Sequence, residues 1–334
     1  MTPNEYLQKY RDEFPALKAW GEFIVFSVTN AIVDIHGLKQ YNSWVKIPPT
    51  TRMKEEDSLI AKAFVLNLGW FSDPYKDIID KVGVRFVVGL SDQIHLIASI
   101  IENSTFWHVD FSREFDQWKS ADPRLFDYQS AHLVLESSEE IEHLDVKIPA
   151  GTKCEVQIRT LLQHAYAELS HDTLYKSNVT SAPEVHRLFA KSMALMETTD
   201  DMMLRAQQSS LAEMKKLDDA KEIVRSANDR YFPSLVFSKD ERENDFLIDR
   251  LRLLVDKYTV QDYDAFLKRF SGAIAKHIKN NRELGPVFHL ESIPFTYFLA
   301  KSKSRQMPKH WPFDRDLFER ISYDIGVVPQ WELD

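Results

Sequence analysis

The segment Lys153-Cys154-Glu155-Val156-Gln157-Ile158-Arg159-Thr160 alternates between polar and apolar side chains. A period of two predicts a β-strand: Cys154, Val156 and Ile158 face a core, and Glu155, Gln157 and Arg159 share the other face. A carboxylate, an amide and a guanidinium at alternate positions are the groups that hold a metal and a phosphate; a solvated sheet face is the alternative reading. Cys154, on the core side, reads as a small buried hydrophobe. A second β-rich run, Val82 to Val88, is bounded by Lys81 and Gly89 and sets Arg85 opposite Val84 and Phe86. Phe106 to Phe111 and Tyr128 to Glu136 are two more strand candidates. In the latter, Tyr128, Ser130 and His132 share a face, which suits either ring stacking on a nucleobase or ordinary sheet packing.

Helical spacing surrounds these runs. Residues 4 to about 36 carry apolar positions at mixed i+3/i+4 intervals, and Pro48-Pro49-Thr50-Thr51 reads as a stop followed by a second helix over about 52–68. Asp92 to Asn103 is amphipathic, and Leu161 to Lys176 turns helical. After Pro183 the residues Val185, Leu188, Ser192, Leu195, Thr199, Met202 and Ala206 follow helical spacing, and polar helix formers continue to about Arg230. The expected fold class is α+β, a mixed β-sheet flanked by helices, followed by a mainly α-helical C-terminal region. The boundary is expected near 178–183, giving domains 1–180 and 181–334, with Tyr231-Phe232-Pro233-Ser234 as a further punctuation. No internal repeat is visible.

Composition narrows the class. A chain of 334 residues suggests about two domains, and 44% hydrophobic residues suffice for a real core. Only 9 glycines and 14 prolines exclude collagen-like and linker-rich chains and favour long helices. One cysteine permits neither an internal disulfide nor a cysteine-based zinc site, which points to a reducing compartment, the cytoplasm. A formal charge of -9 repels nucleic acid unless basic side chains are gathered locally, so any phosphate site must be focal. The start, MTPNEYLQKYRDEFP, lacks the apolar region of a signal peptide. Phe23 to Val33 contains Asn30 and is shorter than the roughly 20 residues of a membrane span, so it reads as a core helix and no membrane is expected.

Other candidates are polar. In the helix expected from Thr51, the residues Lys54, Ser58 and Lys62 fall at four-residue steps along one stripe, with Arg52 in its first turn. Cations beside a helix N-terminus can hold a polyphosphate; a solvated Lys/Glu face is the alternative. Asp80 is a carboxylate at a strand end. His164, Glu168, His171 and Tyr175 form one stripe at i, i+4, i+7 and i+11, a spacing that could bind a transition metal but lacks a second carboxylate helix to complete it.

Five segments in order carry a family resemblance. They are Arg52-Met53-Lys54 with Ser58 and Lys62; Asp80-Lys81-Val82-Gly83-Val84-Arg85; Tyr128-Gln129-Ser130-Ala131-His132; Glu155-Val156-Gln157-Ile158-Arg159-Thr160; and Ala165-Tyr166-Ala167-Glu168 with His171 and Tyr175-Lys176. Over about residues 45–180 this pattern resembles the synthetase domain of the RelA/SpoT family, makers of (p)ppGpp. The resemblance implies a nucleotidyltransferase-related sheet that transfers pyrophosphate from ATP to the ribose 3′-hydroxyl of GDP or GTP. By position, Asp80 and Glu155 would be catalytic and hold Mg²⁺, with Glu155 also placed to help deprotonate the attacking hydroxyl. Arg52, Lys54, Ser58 and Lys62 would bind the donor nucleotide, Arg52 stacking on adenine. Tyr128 would stack on the acceptor guanine beside His132, and Arg85, Gln157, Arg159 and Lys176 would supply a charged wall.

The match departs from the family pattern at Asp127, where the family usually has glycine, and at Tyr166, where it often has tryptophan. No long region precedes the matching segments, so a synthetase without the hydrolase domain of the long bifunctional members is expected. Two alternatives stand beside this reading. One is a toxic relative that moves pyrophosphate to the 3′ end of tRNA or to an adenine nucleotide, with Lys268, Arg269, Lys276, Lys279, Arg282, Lys301, Lys303, Arg305 and Lys309 collecting RNA phosphates or forming a solvated face. The other is an inactive nucleotide-binding regulator. The region 181–334 is assigned to self-association or to a regulatory protein partner.

Overall fold

The computed structural model describes residues 1–66, 71–113, 130–170, 173, 183–238, 241–254 and 259–329. The chain divides into two compact units, Met1–Ala206 and Gln207–Asp334.

Unit 1 is built on a five-stranded sheet. Its strands are β1 (Val45–Met53), β2 (Val82–Val88), β3 (Trp107–Arg113), β4 (Ala131–Ser137) and β7 (Lys153–Thr160), while β5 (Ile141–His143) and β6 (Val146–Ile148) form a separate hairpin. The order across the sheet is β1-β2-β7-β4-β3. β2 and β7 run parallel, with Gly83 opposite Glu155 and Arg85 opposite Gln157. β4 lies antiparallel on the other side of β7, with His132 opposite Gln157 and Val134 opposite Glu155. The alternating segment is therefore the central strand. Its Cys154, Val156 and Ile158 are fully buried, together with Val84 and Phe86 of β2 and Leu133 and Leu135 of β4.

The helix α1 (Pro3–His36) covers this apolar face with α5 (Asp92–Glu102). Thr2 and Glu5 form a capping box at its start, and Gly37 ends it at φ 85°. α1 is long and apolar enough to cross a bilayer by length and composition alone. In the fold it buries Tyr6, Tyr10, Leu17, Trp20, Ile24, Val28 and Ile32 along one stripe, the pattern of a core helix. Gly21 lies where α1 crosses β1, and a methyl group there would overlap the Thr51 side chain.

The expected helix over 52–68 is not what forms. The chain runs on as strand β1 through Pro48, Pro49, Thr50, Thr51 and Arg52 to Met53, and the helix α3 begins only at Glu56 (Glu56–Ile60). Two prolines fit a strand because β1 is an edge strand, paired on one side only, and its register with β2 shifts between Ile47 and Thr50, where the prolines lie. Exposure alternates along the whole of β1, although the sequence from Pro48 onward does not. α3 passes directly into a π-helical turn, Ala61–Val65. Short helices α2 (Leu38–Trp44) and α4 (Pro74–Asp77) precede β1 and β2. α6 (Leu161–Ser170) follows β7 and packs on β7 and β2.

The helix α7 (Pro183–Tyr231) contributes residues to both units. Unit 2 is otherwise helical among the described residues: α8 (Glu241–Arg252), α9 (Val260–Asn281), α10 (Ile293–Ser302), α11 (Met307–His310) and α12 (Arg315–Asp324). Its own core gathers Leu247, Leu251, Leu267, Ile274, Phe288, Tyr297, Leu299 and Phe318. Ile293 to Ala300 of α10 are buried all round, so this is the central helix of the unit.

Candidate active site

The polar face of the sheet holds the candidate site. Asp80 stands just before β2, and its two carboxylate oxygens are taken by two lysines: Lys54 Nζ is bonded to Oδ2, and Lys62 Nζ lies 2.9 Å from Oδ1. Lys54 follows the last residue of β1. Its backbone N–H donates to Lys81 O (3.0 Å), and its carbonyl accepts from Tyr10 Oη of α1 (2.9 Å), so its position is set by three elements. Lys62 comes from the π-helical turn. The two lysines therefore do not lie on one helical stripe, as the spacing suggested; a strand end and a π turn bring them to the same carboxylate.

Glu155 projects from β7 on the same face. His132 Nδ1 lies 3.1 Å from Glu155 Oε1, and Gln157 Nε2 donates to Oε2 (3.1 Å). Behind it, Ser130 Oγ and His132 Nε2 are 2.6 Å apart. These contacts follow from the register, because β4 places His132 directly beside Gln157, two residues on from Glu155.

Both carboxyls are held ionised. Burial works to raise Asp80, but the hydrogen bonds and charges of Lys54 and Lys62 outweigh it and leave the carboxyl below its ordinary range. Burial likewise works to raise Glu155, as does the negative charge of Asp80; the bonds from His132 and Gln157 prevail and the group is again lowered. Gly83, three residues after Asp80, lies opposite Glu155, so the two carboxylates stand at the same end of the paired strands. Two ionised oxygen ligands are a donor set suited to a hard divalent cation completed by water or phosphate. The ammonium groups on Asp80 show that this position already draws positive charge. The residues fit Mg²⁺.

The expected charged wall divides. Arg85 Nη1 is 2.7 Å from Glu168 Oε1 of α6, and the buried Arg159 approaches the same oxygen at 3.9 Å. His164 Nδ1 is 3.7 Å from it, and burial and the Arg85 charge both lower His164. Gln157 instead joins Glu155. Glu168 was absent from the residues assigned roles, although it lies in the last matching segment; the i+4 step from His164 was its sequence signal. Arg52 and Ser58 are exposed and belong to neither cluster. Tyr128 and Lys176 lie outside the described residues, as do Asp127, His171 and Tyr175. Tyr166 packs edge-on against Phe189 at 5.8 Å. In unit 2, Arg282 donates to Val236 O and Lys301 to Ile325 O (3.0 Å), and Arg269 lies over the Phe270 ring, so these three basic groups serve the unit's own structure.

Comparison with known proteins finds similar folds and one family region. Among solved structures, the small alarmone synthetase 1 from Bacillus subtilis is 17% identical, with a TM-score of 0.49, covering 61% of this chain and 99% of its own. The same enzyme bound to its product pppGpp gives 19% identity and a TM-score of 0.49 over 61% of this chain and 98% of its own. A GTP pyrophosphokinase family protein from Streptococcus pneumoniae gives 20% identity and a TM-score of 0.43 over 57% of this chain and 93% of its own. No curated protein matches. Residues 51–180 match the model of the region found in RelA / SpoT proteins, and that span contains Asp80, Lys54, Lys62, His132, Glu155 and Glu168. Residues 51–180 thus carry a RelA/SpoT-type region within this chain.

Proposed function

We propose that this chain is an ATP-dependent pyrophosphokinase that transfers pyrophosphate from ATP to the 3′-hydroxyl of GDP or GTP, making (p)ppGpp. The observation that carries the reading is the convergence of Asp80, Lys54, Lys62, Glu155 and His132 on one sheet face, all inside the span that matches the RelA/SpoT model. The synthetase domain is residues 1–180, and residues 181–334 form the helical region that follows it. The cytoplasm is the proposed compartment.

The chemistry suits the groups present. Phosphoryl transfer proceeds largely by positioning and by neutralising charge on the transferring oxygens. Lys54 and Lys62 are cations on flexible stems beside Asp80, placed to meet the donor phosphates. Mg²⁺, held by Asp80 and Glu155, would add the Lewis acidity that such a transfer uses. Glu155 is ionised and carries a lone pair for the proton of the attacking hydroxyl, and His132, bonded to the same carboxylate, fixes its orientation. Arg52 and Ser58, both exposed, are assigned to the donor nucleotide, Arg52 to its adenine, and Tyr128 is assigned to the acceptor base. Arg85 and Arg159, which pair with Glu168, and Lys176 are assigned to the charged wall, with Gln157 supporting Glu155.

The deciding assay offers γ-labelled ATP and Mg²⁺ with GDP, GTP, adenine nucleotides and deacylated tRNA separately. The expected result is labelled guanosine product that disappears in Glu155→Gln. Label on tRNA or an adenine nucleotide would replace this acceptor assignment with another, and ATP binding without any transfer would make the chain a regulator.

A further inference from the structure

Asp80 carries two ammonium groups, one on each carboxylate oxygen. The cluster is partly withdrawn from water: the Asp80 side chain is 20% exposed, Lys54 25% and Lys62 38%. A divalent ion binds a carboxylate oxygen at about 2.1 Å, and Lys62 Nζ already lies 2.9 Å from Oδ1. An ion on that oxygen would thus sit within about 5 Å of an ammonium group, and one on Oδ2 would be closer still to Lys54. Like charges at that separation in a half-buried site repel strongly.

The lysines also have somewhere else to go. Each is a point charge on a four-carbon stem, and a triphosphate offers more negative charge than one carboxylate. We propose that Lys54 and Lys62 keep Asp80 closed to a divalent cation until a donor polyphosphate draws both ammonium groups away, so that metal and donor bind cooperatively at Asp80. This rests on the assignment of Asp80 as metal ligand and of the lysines as donor-phosphate residues. Coupling of this kind is reciprocal: the metal strengthens donor binding by the factor by which the donor strengthens metal binding. Glu155 differs: among the described residues its oxygens are bonded by His132 and Gln157 and by no ammonium group. The closure therefore acts at Asp80.

The test reads metal binding directly, by Mn²⁺ titration followed by electron paramagnetic resonance on the full chain without nucleotide. Lys54→Met and Lys62→Met are each expected to bind Mn²⁺ at least tenfold more tightly than the unsubstituted protein, and adding Asp80→Asn to either is expected to remove the gain. Lys62→Gln, at the more exposed of the two positions, repeats the measurement should a methionine variant fold poorly; circular dichroism checks the fold. In the unsubstituted protein, α,β-methylene ATP should create a protein-bound Mn²⁺ signal that Asp80→Asn abolishes. Equal Mn²⁺ affinity in the unsubstituted protein and all lysine variants overturns the closure, even if transfer to GDP or GTP proceeds. A gain in the lysine variants with nucleotide-dependent Mn²⁺ binding, but without transfer to GDP or GTP, supports the closure and overturns the proposed reaction.

Discussion

At the scale of single residues, the two carboxylates are not equivalent. Asp80 is neutralised by Lys54 and Lys62, the residues proposed to take the donor phosphates, whereas Glu155 is bonded by His132 and Gln157. Asp80→Asn and Glu155→Gln should each lower transfer by about 100- to 1000-fold while leaving the far-ultraviolet spectrum unchanged, the range seen when one transition-state contact is removed. A loss below tenfold in labelled product would remove that residue from the reaction. His132→Ala deletes a supporting contact and should cost about 10- to 100-fold, as loss of a residue that orients a ligand does.

Asp200 gives a prediction for stability. It is buried, and burial raises its carboxyl above 3.8 despite the bond donated by Thr160 Oγ1 (2.7 Å). A carboxyl that holds its proton more tightly in the folded state contributes most at low pH, and that contribution is lost as pH rises from the unfolded value through the raised folded value. Asp200→Asn keeps an acceptor for Thr160 and removes the buried charge. The variant should therefore melt at a higher temperature at neutral pH and show a flatter pH dependence across the acidic window; a lower neutral melting point would count against the assignment. The Asp200 contact was not legible in sequence, since nothing local links it to Thr160.

At the scale of elements, β1 shows how context overrides a local signal. Pro-Pro followed by Thr-Thr reads as a helix start when only neighbours in sequence are considered. An edge position removes the need for half the backbone donors, so the prolines are tolerated in a strand. The close approach of α1 to β1 gives a test. Alanine at Gly21 gains about 1 kcal/mol of helix propensity, but overlap with Thr51 in a packed contact costs about 1–3 kcal/mol. The second effect should win, so Gly21→Ala lowers stability in urea denaturation, and a Thr51→Ala partner in a double-mutant cycle should recover part of the loss. By contrast, β2, β7 and α5 were legible because their periodicity is strong and their boundaries carry turn residues.

At the scale of the whole molecule, two hydrophobic clusters belong to two units. Separate cores predict departure from a single two-state transition. Calorimetry should resolve a transition that Mg²⁺ with α,β-methylene ATP raises and one that it leaves in place, because a ligand stabilises only the cooperative unit that binds it. Phe288→Ala, at a fully buried position of unit 2, should lower the second by about 3–5 kcal/mol. A uniform shift of all transitions by the nucleotide would show that the units unfold together.

Sequence alone determined which side chains share a face. The alternation from Lys153 to Thr160 commits Glu155, Gln157 and Arg159 to one side of a strand, because that period is a property of extended backbone and needs no partner. It likewise determined that one half of the chain is mixed and the other helical. The tertiary structure decided which of these groups meet. The parallel register of β2 on β7, the antiparallel register of β4 and the π turn at Lys62 bring Asp80, Lys54, Lys62, His132 and Glu155 into one site and send Arg85 and Arg159 to Glu168. Those meetings depend on strand order and on contacts far apart in the chain, which local periodicity does not encode.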